Sequence, residues 1–290
     1  MKSKNRILQF VNLTITAALI VFAYNYISDL VHGIEFSEFE TTWPLLFSSA
    51  LLFVISYCFF SLNWLLAART QHIKSSGNQV LVFFASQPYK YLPTSLFILS
   101  SRAVFAKKLG LTIKQSLIAQ IYENLSIFLS NFILFGILFA ASVKLQWGIL
   151  GLFITFLATL LLNKNKQIKL KVRNKTLNIN TLHVTKMLVL TTLGWLFAGL
   201  AFVVLSSGFD VQIDTLKLLA ANTIAFSLGM LIFFAPGGIG IREVVYRAFA
   251  VSAIVIIYWR ILVFVLDMIS GIIAIVLVKY KSRIKFQIDK

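Results

Sequence analysis

The chain has 290 residues, 59% of them hydrophobic, a mean hydropathy of +0.86 and a formal net charge of +17. A soluble domain is usually about 45–50% apolar. The excess here falls in runs of roughly 20 residues between short polar loops, the pattern of a polytopic α-helical membrane protein. In that setting the positive charge speaks for membrane topology and an anionic lipid leaflet, and against nucleic acid as a partner. A lone cysteine, Cys58, excludes a disulfide framework. His32, His72 and His183 lack metal-ligand spacing, so no metal and no cofactor are expected.

The chain begins "MKSKNRILQF" and continues apolar to about residue 27. This run is too long for a signal peptide and has no small-x-small cleavage site after it, so it is expected to be a retained span. Further full-length apolar runs lie at 44–67, 114–142, 146–162, 184–206 and 252–279. Two runs are interrupted. One is 79–106, broken around 87–95 in "SQPYKYLPTS". The other is 216–250, broken around 236–240 in "PGGIG". Each is too short for two full spans, which need about 40 residues.

Basic residues decide how the interrupted runs lie. With both entering and leaving the membrane on one side, 20 of the 27 Lys and Arg residues fall inside, including six in "NKNKQIKLKVRNK". Only Lys144 and Lys217 then fall outside, together with the acidic loop Asp29, Glu35, Glu38 and Glu40. Were both runs to cross, the most basic loop would lie outside, against the positive-inside rule. The expected fold is therefore all-α: six spanning helices plus two re-entrant broken-helix hairpins, both termini cytoplasmic, in one integral membrane domain. Residues 1–145 and 146–290 each read as span, span, hairpin, span, the second half upside down. Such inverted repeats recur in transporters.

Five cations, Lys90, Arg102, Arg242, Arg247 and Arg260, and three anions, Glu123, Glu243 and Asp267, fall within membrane segments. Each costs several kcal/mol there unless paired or facing water, and the positive excess points to an anionic guest. For Lys90 and Arg247, snorkelling to the interface is an equal alternative. Gln120, Glu123, Asn124 and Asn131 share one helix face, which must look into protein or water. Glu123 there serves either as a cavity group or as a packing ion pair. Arg260 and Asp267, seven apart, are expected to form an inward ladder. In "PGGIGIREVVYR", Pro236 and the glycines turn the chain, and the free N–H groups of the helix that follows favour an anion. Gly237, Gly238, Gly240 and Arg242 are the expected phosphate contacts, with Arg102 and Arg260 in support. Glu243 and Arg247 are spaced to pair. Thr94 or Ser95 is expected to cap the helix after Pro93.

"PGGIGIRE", a short helix and a last span with Arg260 resemble the transmembrane flippase-like domain of the lysylphosphatidylglycerol synthase family. "YLPTSLFILSSRAVFAKKLG", followed by a helix bearing Glu123, is similar to that family's first motif, with Thr94 where the family more often has glycine. The resemblance spans nearly the whole chain. It carries Arg102, Glu123, Pro236, Gly237, Gly238, Gly240, Arg242, Glu243 and Arg260 over as site residues. It implies translocation of an anionic phospholipid, an aminoacyl-lipid or a lipid-linked saccharide in envelope biogenesis, at the plasma membrane. The larger members add a soluble aminoacyl-transferase domain that this sequence lacks.

Three functions follow for testing. The first is a flippase or scramblase with Glu123, Glu243, Asp267 and Lys90 as cavity or coupling groups. The second is a non-transporting subunit that anchors an envelope-biosynthesis enzyme through the basic loop. The third is an embedded transferase using Glu123 or Glu243 as base; no Walker loop, nucleophile elbow or metal-binding acidic pair supports it, so enzyme activity is not expected. Homo-oligomerisation is compatible with all three.

Overall fold

The computed structural model describes residues 43–71, 77–92, 96–162, 167–172, 175–209, 214–231 and 236–288. The expected first span at 7–27 and the capping pair Thr94 and Ser95 lie outside them. In chain order the helices are α1 (Trp43–Arg69), α2 (Gln79–Ser86), α3 (Leu96–Lys108), α4 (Ile113–Val143), α5 (Leu145–Leu162), α6 (Thr181–Ser206), α7 (Thr215–Leu231), α8 (Ile241–Ala248) and α9 (Ala253–Ile288). Short 3₁₀ turns at Gln87–Tyr91 and Pro236–Gly238 follow α2 and α7. Among the described residues, four helices, α1, α4, α6 and α9, are long and apolar enough to cross a membrane. α5, expected as a full span, is an apolar helix of 18 residues, and α7 is apolar but shorter.

One departure from an all-helical chain stands out. The basic stretch after α5 forms an antiparallel ribbon, β1 (Gln167–Val172) with β2 (Lys175–Asn180), Gln167 opposite Asn180 and Val172 opposite Lys175. Its strands alternate apolar and polar residues, a period-two pattern, and charge had masked that pattern in the sequence.

Local chemistry explains the helix ends. Pro44 sits in the first turn of α1, where its missing N–H costs nothing. Thr112 and Gln115 form a reciprocal capping box at the start of α4. Pro88 opens the first 3₁₀ turn, and Leu92, before Pro93, is extended (ψ 161°), as a residue preceding proline must be.

α1 and α6 form the centre. Small residues let them approach: a Cβ on Gly194 would lie 2.9 Å from the Phe60 ring, and Ser49 Oγ donates to the Ala201 carbonyl at 2.8 Å. In a membrane, close packing and interhelical hydrogen bonds carry association, because lipid is as apolar as the side chains. The broken segments fold back on themselves. Gln79 Nε2, at the start of α2, donates to the carbonyl of Leu109, just past α3, at 3.1 Å. Tyr246 of α8 donates to Asn222 Oδ1 of α7 at 2.9 Å. The last span of each half then packs on the other half's broken segment, α4 along α7 and α9 along α2.

The polar face of α4 turns inward: Gln120, Glu123 and Asn131 are buried and Asn124 half-buried, while Ile121, Leu125, Leu129 and Phe132 are exposed on the far side. The α9–α2 seam depends on Gly271, where a Cβ would come within 2.2 Å of Pro88 Cγ. Gly271→Ala is therefore expected to push α9 off the first 3₁₀ turn and cost about 1–3 kcal/mol by overpacking, read as a lower unfolding temperature in detergent. An unchanged midpoint would mean the seam can yield.

Candidate functional site

The two 3₁₀ turns meet, and beside them lies a cavity of about 350 Å³. Buried aromatic residues from α1, α2, α6 and α7 (Phe53, Tyr57, Phe60, Phe83, Trp195 and Phe226) line its inner wall. Its polar lining comes from Gln87, Lys90, Arg102, Glu123, Asn124 and Arg242, with Gly229, Gly237 and Gly238 contributing backbone.

Three ion pairs surround it. Arg102 of α3 and Glu123 of α4 form a buried pair. Arg102 Nε also donates to Ser86 Oγ at 3.0 Å, and its guanidinium lies over the Trp64 and Phe83 rings at 5.3 and 5.2 Å. The other carboxylate oxygen of Glu123, Oε1, has no hydrogen-bond partner among the described residues. The second pair is Lys90 with Asp267 of α9, at 2.5 Å. Asp267 is fully buried and also accepts from the Tyr57 hydroxyl and, at 2.6 Å, from the Tyr91 hydroxyl. A carboxylate with this many donors is held far better than an isolated buried one. The third pair joins Arg260 Nε of α9 to Glu243 Oε1 of α8 at 3.0 Å, and Arg260 Nη1 donates to the Gly237 carbonyl at 2.9 Å.

Arg242 stands apart. It is 5% exposed, and no anion or hydrogen-bond acceptor reaches it among the described residues. Its guanidinium rests on the Phe226 ring, 3.9 Å from the centroid. The backbone is cut away to admit it. A Cβ on Gly229 would lie 2.6 Å from Arg242 Nε, and one on Gly238 (φ +72°) would lie 2.7 Å from the same atom. Only glycine accepts that φ without strain. A desolvated cation–π contact is worth about 2 kcal/mol, whereas an unpaired buried charge costs several. The ring therefore does not balance the charge, and the site calls for an anion.

Several expected arrangements differ. Glu243 pairs with Arg260 and not with Arg247, whose Nη1 instead donates to the Val251 carbonyl at 3.4 Å. α8 ends at Ala248, so Arg247 closes a helix end while Glu243 faces α9. Arg260 and Asp267, by contrast, do form the expected inward ladder toward the broken segments, each meeting a different turn of the chain. Gly240 (φ +87°) makes the bend before α8 but lies off the cavity lining, as do Arg260, Glu243 and Asp267. Tyr57, Tyr91, Phe226 and Gly229 belong to the site and were not anticipated. Gly229 left a trace as a glycine inside an apolar helix, and Tyr91 as the first residue of the quoted YLPT motif. No cluster of His, Cys, Asp or Glu able to hold a metal occurs among the described residues.

Scanned against models of known protein families, the chain matches none, and no curated protein matches it. The site's own geometry therefore carries the functional reading.

Asp267→Ala should strand Lys90 and both tyrosine hydroxyls and cost about 3–5 kcal/mol, while Lys90→Met combined with Asp267→Leu should cost much less. Unfolding midpoints of the single and double variants in detergent check this. Equal losses would mean the pair adds nothing beyond its volume.

Proposed function

We propose that this chain is a lipid translocase of the flippase or scramblase kind: the anionic headgroup of a membrane lipid crosses through the cavity while its tails stay in the bilayer. The observation that carries this reading is Arg242, a buried cation without a counter-ion among the described residues, facing a cavity beside two turns. Arg242 is also at the N-terminal turn of α8, where free N–H groups and the helix dipole favour a phosphate. The other embedded charges around the cavity are already matched in pairs, so the site has one positive charge to offer. Glu123, with one oxygen unpartnered, is the group in the lining suited to receive a donor from the same headgroup.

The packing supports the inverted-repeat reading. The broken segments return toward their starting ends, and each half's last span lies against the other half's broken segment. Two re-entrant hairpins meeting beside a cavity with a few charged groups is the arrangement by which transporters bring a site to the midplane. With it go six spans and cytoplasmic termini, on the charge count of the loops, and a plasma-membrane location, on the family resemblance. The motif resemblance to the flippase-like domain of lysylphosphatidylglycerol synthases points the same way. No chemical step is part of this proposal.

The test is reconstitution in vesicles with a fluorescent phosphatidylglycerol. Wild type should move it between leaflets faster than protein-free vesicles do. Arg242→Ala should slow this at least about tenfold, since removing one partner of a buried charge contact costs 2–5 kcal/mol. Its unfolding midpoint should not fall, because an uncompensated charge is removed. Movement at the wild-type rate in Arg242→Ala would reduce the motif to a structural turn.

A further inference from the structure

The cavity wall is uneven. Toward α1, α2 and α6 its residues are buried. On one side they are not: Ile98 and Leu99 of α3, Asn124 and Phe128 of α4, and Met230 of α7 are half-buried, and Leu231 at the end of α7 is exposed. Five of these six are apolar. They border outward surfaces that are apolar too, with Leu96 on α3 and Ile121 and Leu125 on α4 all exposed. In a helix bundle within a bilayer, surface of that kind faces hydrocarbon, not water.

We propose that the cavity opens sideways into the bilayer between α3, α4 and the C-terminal tip of α7, and that the acyl chain of a phospholipid occupies this opening while its phosphate sits at Arg242. This rests on the lipid reading of the Arg242 site and adds the route by which the lipid reaches it. The occupant follows from continuity. One cavity is lined on its buried side by a guanidinium that no described residue pairs and on its open side by aliphatic and aromatic side chains. A free phosphate would match the first and leave the second unused, whereas an amphiphile with a single anionic head matches both. Asn124 is the polar exception on the open side. It stands next to Glu123 on α4 and gives a headgroup one hydrogen-bonding partner on its way inward.

The test couples the two ends of the lipid. A photoreactive benzoyl-phenylalanine replaces Phe128 at the opening or, as control, Leu152 on the exposed face of α5. The full chain is placed in phosphatidylcholine vesicles containing labelled phosphatidylglycerol and irradiated. Both positions should give lipid adducts, and Arg242→Ala should lower the adduct at 128 about tenfold while leaving that at 152 unchanged. An adduct at 128 that ignores Arg242→Ala would mean the opening meets only bulk lipid, and the proposal fails. A crosslink from 128 to the chain's own segment 7–27 would show protein seated there, and it fails as well. Excess inorganic phosphate that competes away the adduct at 128 supports the shared phosphate site. Adduct at 128 that depends on Arg242, in vesicles where no transbilayer movement occurs, would keep the lipid site and overturn transport. Movement that depends on Arg242 without such an adduct would keep transport and overturn this route.

Discussion

A charge inside hydrocarbon has to be answered. This requirement arranges the interior of the protein more than any apolar contact does, because lipid tails compete with apolar side chains on equal terms. Asp267 gathers Lys90, Tyr57 and Tyr91 from two other elements onto α9, Glu123 draws α3 onto α4 through Arg102, and Arg260 ties α9 to both α8 and the second 3₁₀ turn. Each link joins elements whose packing the glycines then perfect, as Gly271 does against Pro88.

Against that background the exception carries the meaning. Three acids answer three of the cations, and the fold makes room for a further arginine by deleting side chains at Gly229 and Gly238. A planar guanidinium is weakly hydrated and stacks on an aromatic face, so Phe226 softens the penalty without removing it. Among the described residues no acceptor takes that place, which leaves the guanidinium ready for an outside one. Such preorganisation spares a guest the cost of ordering its receptor.

What could be read beforehand followed from local rules, and what could not depended on distant partners. The inward face of α4 was legible because its polar residues recur every three or four positions. The breaks around 87–95 and 236–240 were legible from residue chemistry. Arg102, Glu123 and Arg242 were singled out because charge is scarce in such runs. Their partnerships were not legible: Asp267 lies 176 residues from Tyr91 and 210 from Tyr57, and no spacing rule reaches that far. The local rule misled for Glu243 and Arg247, since α8 is too short for an i, i+4 pair to outweigh a facing helix. Tyr57 looked like one more aromatic in an apolar span, because its hydroxyl matters only once Asp267 arrives. The β1–β2 ribbon was hidden by its lysines.

The crossing of the two halves also bears on how the chain is made. α2 rests on α9, and the amine of Lys90 is answered by a carboxylate synthesised long after it. Until α9 emerges from the ribosome and enters the membrane, the first broken segment has neither its packing surface nor its counter-ion. The fold cannot be completed segment by segment in the order of synthesis. Its interior closes late, at the arrival of the final helix, and a chain halted before Asp267 would hold an unanswered ammonium group, a mark by which quality-control proteases could tell unfinished copies from finished ones.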